Sequence, residues 1–156
     1  MLFAVLAALM AGTTCPATQP ARIPGAPMPL LGSGPVYPGL TPQPVKLSAY
    51  DRAPGWLAAK TIWAWPPALV HRRTRVLVRA RRIDRDSPVR FQLGPQWDTA
   101  PLTRVLHLDT TQTVGGFSGS RWGTTVTMIL VKSPGCYAIT LDTGTRTTTV
   151  VVRATR

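Results

Sequence analysis

From residue 61 to residue 154, apolar and polar side chains alternate in short runs with the two-residue period of β-strands. The clearest case is 73–83, RTRVLVRARRI: Thr74, Val76, Val78 and Ala80 fall on one side, and Arg73, Arg75, Arg79 and Arg81, with Leu77 among them, fall on the other. That is the pattern of a half-buried strand, small apolar residues inward and charges outward. Asp84 to Pro88 forms a turn signal, and 89–93 reads as the returning strand, with Val89, Phe91 and Leu93 inward and Arg90 and Gln92 outward. Further on, 124–131 is β-branched and apolar, Ser133-Pro134-Gly135 breaks it, and 136–141 alternates with Tyr137, Ile139 and Leu141 on one face. Asp142-Thr143-Gly144 and the strand-like run 147–154 complete a hairpin signal.

With 61–65 and 102–108 added, seven short strands are predicted, and no helical periodicity follows residue 12. Two sheets that each bury one apolar face satisfy this pattern, so the predicted fold is all-β, an antiparallel β-sandwich over residues 59–156. Trp63 and Trp65 share one face of 61–65, which fits packing first and a carbohydrate or base-stacking platform second.

The chain before residue 59 has a different character. Met1 to Ala11, MLFAVLAALMA, has the length of the apolar region of a secretory signal and is too short to cross a membrane as an ordinary helix, although no Lys or Arg precedes it. Cys15 follows after small residues. This order resembles a bacterial lipoprotein signal, in which the Cys becomes the lipidated first residue, with Gly12 and Thr14 departing from the usual pattern. The resemblance makes Cys15 the candidate lipid-attachment residue and residues 1–15 the signal; plain cleavage and a retained apolar anchor remain as alternatives. Residues 16–44 hold nine Pro and four Gly with Arg22 the only charge, so 16–58 is expected to be a flexible, semi-extended linker.

The run Ser133-Pro134-Gly135-Cys136-Tyr137-Ala138-Ile139 resembles the last hairpin of bacterial extracytoplasmic immunoglobulin-like domains, whose penultimate strand opens with Pro-Gly, one variable residue and an aromatic. The resemblance implies an immunoglobulin-like sandwich with Tyr137 as the corner tyrosine and implies no activity. The pair of sheet-bridging cysteines of antibody domains is missing, so Cys136 is expected to be unpaired unless Cys15 stays in the chain with a free sulfur.

Charge narrows the function. Fifteen Arg and three Lys face six Asp and no Glu, for a net charge of +12, which favours anionic partners. Arg73, Arg75, Arg79, Arg81 and Arg90 are the candidate binding residues, as one cationic stripe extended by Arg72, Arg82 and Arg85. The catalytic inventory is thin. His107 and Asp109 lie two apart, Gly116-Phe117-Ser118-Gly119-Ser120 is one place off a nucleophile elbow, and two His without Cys or carboxylate at ligand spacing make a poor metal site. No enzyme activity, metal or cofactor is expected. The Gly-rich stretch around Gly115-Gly116 precedes no helix and reads as a surface loop. The expected protein is exported and membrane-associated or secreted, with a non-catalytic domain that contacts anionic envelope polymers or a protein partner. A nucleic-acid-binding protein using the same stripe with Trp63 or Trp97 as platforms is the alternative, and a purely structural spacer is the third reading.

Overall fold

The structure is a computed structural model that describes residues 14–40, 42–96, 98–114, 117 and 119–156. The expected signal run 1–11, Trp97, Gly115, Gly116 and Ser118 lie outside the described residues.

Among the described residues, ten strands and one helical turn follow in chain order: β1 (Tyr37–Pro38), β2 (Val45–Lys46), β3 (Ser48–Ala49), β4 (Leu57–Trp65), α1 (Pro67–Val70), β5 (Arg75–Arg82), β6 (Val89–Leu93), β7 (Leu106–Asp109), β8 (Gly123–Val131), β9 (Gly135–Asp142) and β10 (Thr147–Thr155). They make two packed sheets. The first runs β1-β4-β8-β6, with β3 also paired to β4; the second runs β2-β10-β9-β5-β7. Strands β3, β4, β8 and β6 on one side and β10, β9 and β5 on the other reproduce the strand order of a seven-stranded immunoglobulin sandwich. Strand β2 adds to it by pairing in parallel with β10, Ala154 opposite Val45, and β7 adds to it beside β5. The single turn α1 begins at a proline, whose fixed φ suits the first helical position, and was not expected from the sequence.

The alternation holds for β5, β9 and β10 and fails at the end of β6: Leu93, expected inward, is exposed, and Gln92, expected outward, is buried with its amide donating to the Ala100 carbonyl at 2.7 Å, because the loop after β6 folds over it. Val76 and Val78 of β5, Tyr137, Ile139 and Leu141 of β9, and Val150 and Val152 of β10 meet Trp63, Trp65, Phe91 and Ile129 from the opposing sheet in one buried core. Trp63 has no exposed surface and donates Nε1–H to Thr127 Oγ1 at 2.8 Å, so its polar edge is satisfied inside the core.

Three further expectations are corrected. The 102–108 run is not one strand, because it passes from one sheet to the other: Thr103 exchanges both backbone hydrogen bonds with Phe91 of β6, while β7, four residues long, pairs with β5. The segment 16–58 does not stand off as a flexible linker. Leu31, Val36, Leu40, Val45 and Leu47 join the main core, and Leu30 is fully buried against Ala64 and Trp122 on the outside of the first sheet, with Ile23, Ala26 and Met28 packed around it. Proline removes ladder donors without preventing apolar side chains from packing, so the segment wraps the sandwich mostly as coil. Finally, Cys136 is not unpaired: it forms a disulfide with Cys15, Cα atoms 5.5 Å apart, which ties the start of the described chain to β9.

Candidate binding face

Strand β9 points Tyr137, Ile139 and Leu141 inward, so Cys136, Ala138, Thr140 and Asp142 point outward. The register carries that parity across the sheet. Arg79 lies opposite Thr140 and Arg81 opposite Ala138; on the other side Thr149 lies opposite Thr140, Val151 opposite Ala138 and Arg153 opposite Cys136. Arg75 stands opposite Asp109 of β7, and Leu77 stands between His107 and Asp142. The result is a sheet surface with a floor of Ala138, Val151 and the hydrogen-bonded hydroxyls of Thr140 and Thr149, 3.3 Å apart, edged by exposed guanidinium groups.

The candidate arginines divide on this surface. Arg75, Arg79 and Arg81 are exposed, and among the described residues none of them forms an ion pair. Side chains on one face of a strand repeat at about 6.6–7 Å, so Arg79 and Arg81 are near neighbours and Arg75 stands two repeats from Arg79. Arg73, just before β5, donates from Nε to Asp109 Oδ2 at 2.8 Å and is partly neutralised.

Arg90 does not belong to this face. It lies on β6 of the other sheet, opposite Leu130, with its guanidinium 5.9 Å from the centre of the Trp56 ring, whose centre Lys132 Nζ approaches to 3.9 Å. The connection from β5 to β6 changes sheets, so two strands adjacent in sequence put their outward residues on opposite sides of the molecule.

Arg82 is also no part of the stripe. It is buried, donates to the two carboxylate oxygens of Asp84 at 2.5 and 3.0 Å and to Ser133 Oγ at 2.6 Å, and lies 5.8 Å from the Tyr137 ring centre. Tyr137 in turn donates its hydroxyl to the Ser133 carbonyl at 2.6 Å, the link of a tyrosine corner. Gly135 leaves room for this group, since a Cβ at that position would meet the Arg82 guanidinium and push it from its place. The hydrogen bond from Arg82 holds the Asp84 carboxyl below its ordinary range, and the same bond raises Arg82 further. Burial pushes the Tyr137 phenol up, with the nearby Arg82 charge opposing.

His107 and Asp109 do not form an oriented base. Asp109 Oδ1 accepts from the Thr111 hydroxyl at 2.6 Å and the Thr111 amide at 3.0 Å, and Oδ2 accepts from Arg73. The Thr111 hydroxyl is the largest cause of the lowered Asp109 carboxyl, followed by the Thr111 amide and Arg73. Among the described residues no three His, Cys, Asp or Glu side chains gather as a metal site. Trp63 cannot stack on a base or sugar, because it is wholly inside the core.

Cys15 lies at one end of the cationic face. Its sulfur is bonded to Cys136, and a thioether lipid would need the same sulfur, so the two uses exclude each other. Thr18 continues along the β10 edge, donating its amide to the Val151 carbonyl and accepting the Val151 amide on Oγ1, each at 2.8 Å. Sequence reasoning missed this strap, because nothing local to residues 14–20 shows which edge they close. No family model matches the chain, and neither a search of curated proteins nor one of solved structures returned a match.

Proposed function

We propose that this is an exported, non-catalytic binding domain of the cell envelope, and that the outer face of β5, β9 and β10 contacts an anionic partner through Arg75, Arg79 and Arg81. The observation that carries the reading is that, among the described residues, none of these three exposed guanidinium groups has an ion-pair partner, on a sheet face built over small residues and hydroxyls. A guanidinium offers a planar fork of donors that fits phosphate or carboxylate oxygens two at a time, and neighbouring hydroxyls can add single donors. Export is supported by the apolar run 1–11 and by the Cys15–Cys136 disulfide, since such bonds persist in oxidising compartments.

The test is binding of inorganic polyphosphate to the full chain as a function of salt, for wild type and for the combined Arg75→Gln, Arg79→Gln and Arg81→Gln variant. Wild type should bind with an affinity that falls steeply with salt, and the variant should lose most of the affinity and flatten the salt slope. Equal binding by the two proteins would leave the arginines as a solvated face and the domain as a spacer.

A further inference from the structure

The Cys15–Cys136 disulfide is not enclosed by the fold. Both cysteines, with Ile83, Pro134 and Arg153, line one open cleft of about 610 Å³ at the end of the second sheet. The two sulfurs differ in access, since Cys15 is half-buried and Cys136 is buried. They also differ in surroundings. Cys136 stands opposite Arg153 in the β9–β10 register, and directly opposed side chains have Cβ atoms about 4.5–5.5 Å apart. Arg153 is exposed and, among the described residues, forms no ion pair; the carboxylate lining the cleft, Asp84, is bonded to Arg82. The stretch that the disulfide fastens is lightly held otherwise. None of residues 14–20 is buried. Thr18 gives and takes one hydrogen bond with Val151, which satisfies an edge amide and an edge carbonyl of β10. Ala21 then exchanges both backbone hydrogen bonds with Leu30, which has no exposed surface, so the chain from Ala21 onward is anchored in the fold. Segments with few buried apolar contacts are the ones that open locally at low cost.

We propose that this cleft is a site of thiol–disulfide exchange with a protein dithiol, and that reduction there unlatches residues 14–20 from the β10 edge. Exchange is governed by access to the attacked sulfur and by how readily the other sulfur leaves. One thiolate of the partner attacks the accessible Cys15 Sγ and bonds to it; the Cys15–Cys136 bond breaks, and Cys136 departs as a thiolate beside the Arg153 cation, which stabilises it. The partner's second thiolate then attacks its own sulfur in the mixed disulfide, and Cys15 leaves as a thiolate. Both cysteines take up the protons that the partner's thiols released. The chain gains two electrons, and the partner's dithiol is oxidised to a disulfide. Residues 14–20 lose their covalent hold, and the Val151 amide and carbonyl become an open strand edge, the template to which a further extended segment can pair.

The experiment treats the full-length, oxidised protein with dithiothreitol or with reduced thioredoxin, quenches by alkylation and reads the masses, and then compares amide hydrogen exchange of the oxidised and reduced forms. Both reductants should act on the folded protein, and the dithiothreitol rate should not change with urea below the unfolding transition. A thioredoxin with only its attacking cysteine should be trapped on Cys15. Arg153→Gln should react roughly two- to fourfold more slowly, since the leaving thiolate has lost a cation, and Arg153→Lys should restore the rate. After reduction the Thr18 and Val151 amides should exchange roughly tenfold faster or more, with the Leu30 amide still protected. Reduction only where urea unfolds the chain, or by dithiothreitol and not by thioredoxin, overturns the exchange site. Trapping on Cys136 overturns the choice of attacked sulfur, and equal rates for wild type and Arg153→Gln overturn the role of Arg153. Unchanged protection of Thr18 and Val151, or loss of protection throughout the core, overturns the latch.

Discussion

The outer face of the first sheet and the outer face of the second begin from the same strand alternation and are finished differently. On the first, Leu30 and Trp122 cover Ala64, the segment through Ile23, Ala26 and Met28 packs beside them, and the cations Arg90 and Lys132 lie against Trp56. On the second, Arg75, Arg79 and Arg81 stand exposed beside threonines, with the N-terminal strap confined to the β10 edge and the disulfide. A cation resting on an aromatic ring or paired with a carboxylate serves the fold, while one with neither is available to a partner. Arg81 and Arg82, adjacent in sequence, show the same division within one strand, the first solvated and the second locked into the corner under Tyr137.

The comparison breaks most visibly if the N-terminal segment is a spacer after all. Leu31 is fully buried in the main core, so Leu31→Ala should lower unfolding free energy by about 2–5 kcal/mol, read from the urea midpoint. A flexible spacer would show almost no change. Next in size is the disulfide, which spans a sequence separation of 121 and closes the segment over the second sheet. Replacing both Cys15 and Cys136 with Ser should cost about 2–4 kcal/mol by thermal or chemical denaturation, through the freedom returned to the unfolded chain.

The two neighbouring arginines sharpen it further. Arg82→Gln strips the buried donors from Asp84 and Ser133 and should destabilise by about 1–2 kcal/mol. Arg81→Gln should stay within about 0.5 kcal/mol, as surface changes do. The smallest effect concerns acid. Asp84 has a carboxyl held below its unfolded value, so the unfolded chain takes up its proton first as pH drops. The stability it contributes is present above about pH 4 and is lost as pH falls through its folded value. Asp84→Asn should therefore make the melting temperature less sensitive to pH in that acidic range, with little change in slope near neutrality.

The strands were legible because a half-buried strand writes its faces into the sequence: Val76 and Val78 are inward as the pattern requires, and 89–93 is β6 to the residue in its bounds, although Gln92 is buried and Leu93 exposed because the following loop, not the strand period, covers that end. The packing of residues 16–58 was not legible, since Leu30, Leu31, Val36, Leu40, Val45 and Leu47 follow no helical or strand period and sit among prolines that point to disorder. Arg82 carried a readable signal that was passed over. It shares parity with Val76, Val78 and Ala80, and an arginine in an inward position calls for a buried partner, here Asp84 two residues on. Arg90 carried no such signal: its outward parity was right, but the sheet that strand joins is decided by the crossover after β5. The Cys15–Cys136 pairing likewise depends on where the wrapped segment returns.

The most direct test of the Arg face as the working surface is a map of backbone amide shifts by nuclear magnetic resonance as polyphosphate is titrated into the ¹⁵N-labelled protein. The account predicts that the largest shifts fall on β5, β9 and β10 at Arg79, Arg81, Thr140 and Thr149, with β4 and β8 unmoved. Shifts centred on Trp56, Arg90 and Lys132 of the opposite side, or no shifts at all, would contradict it.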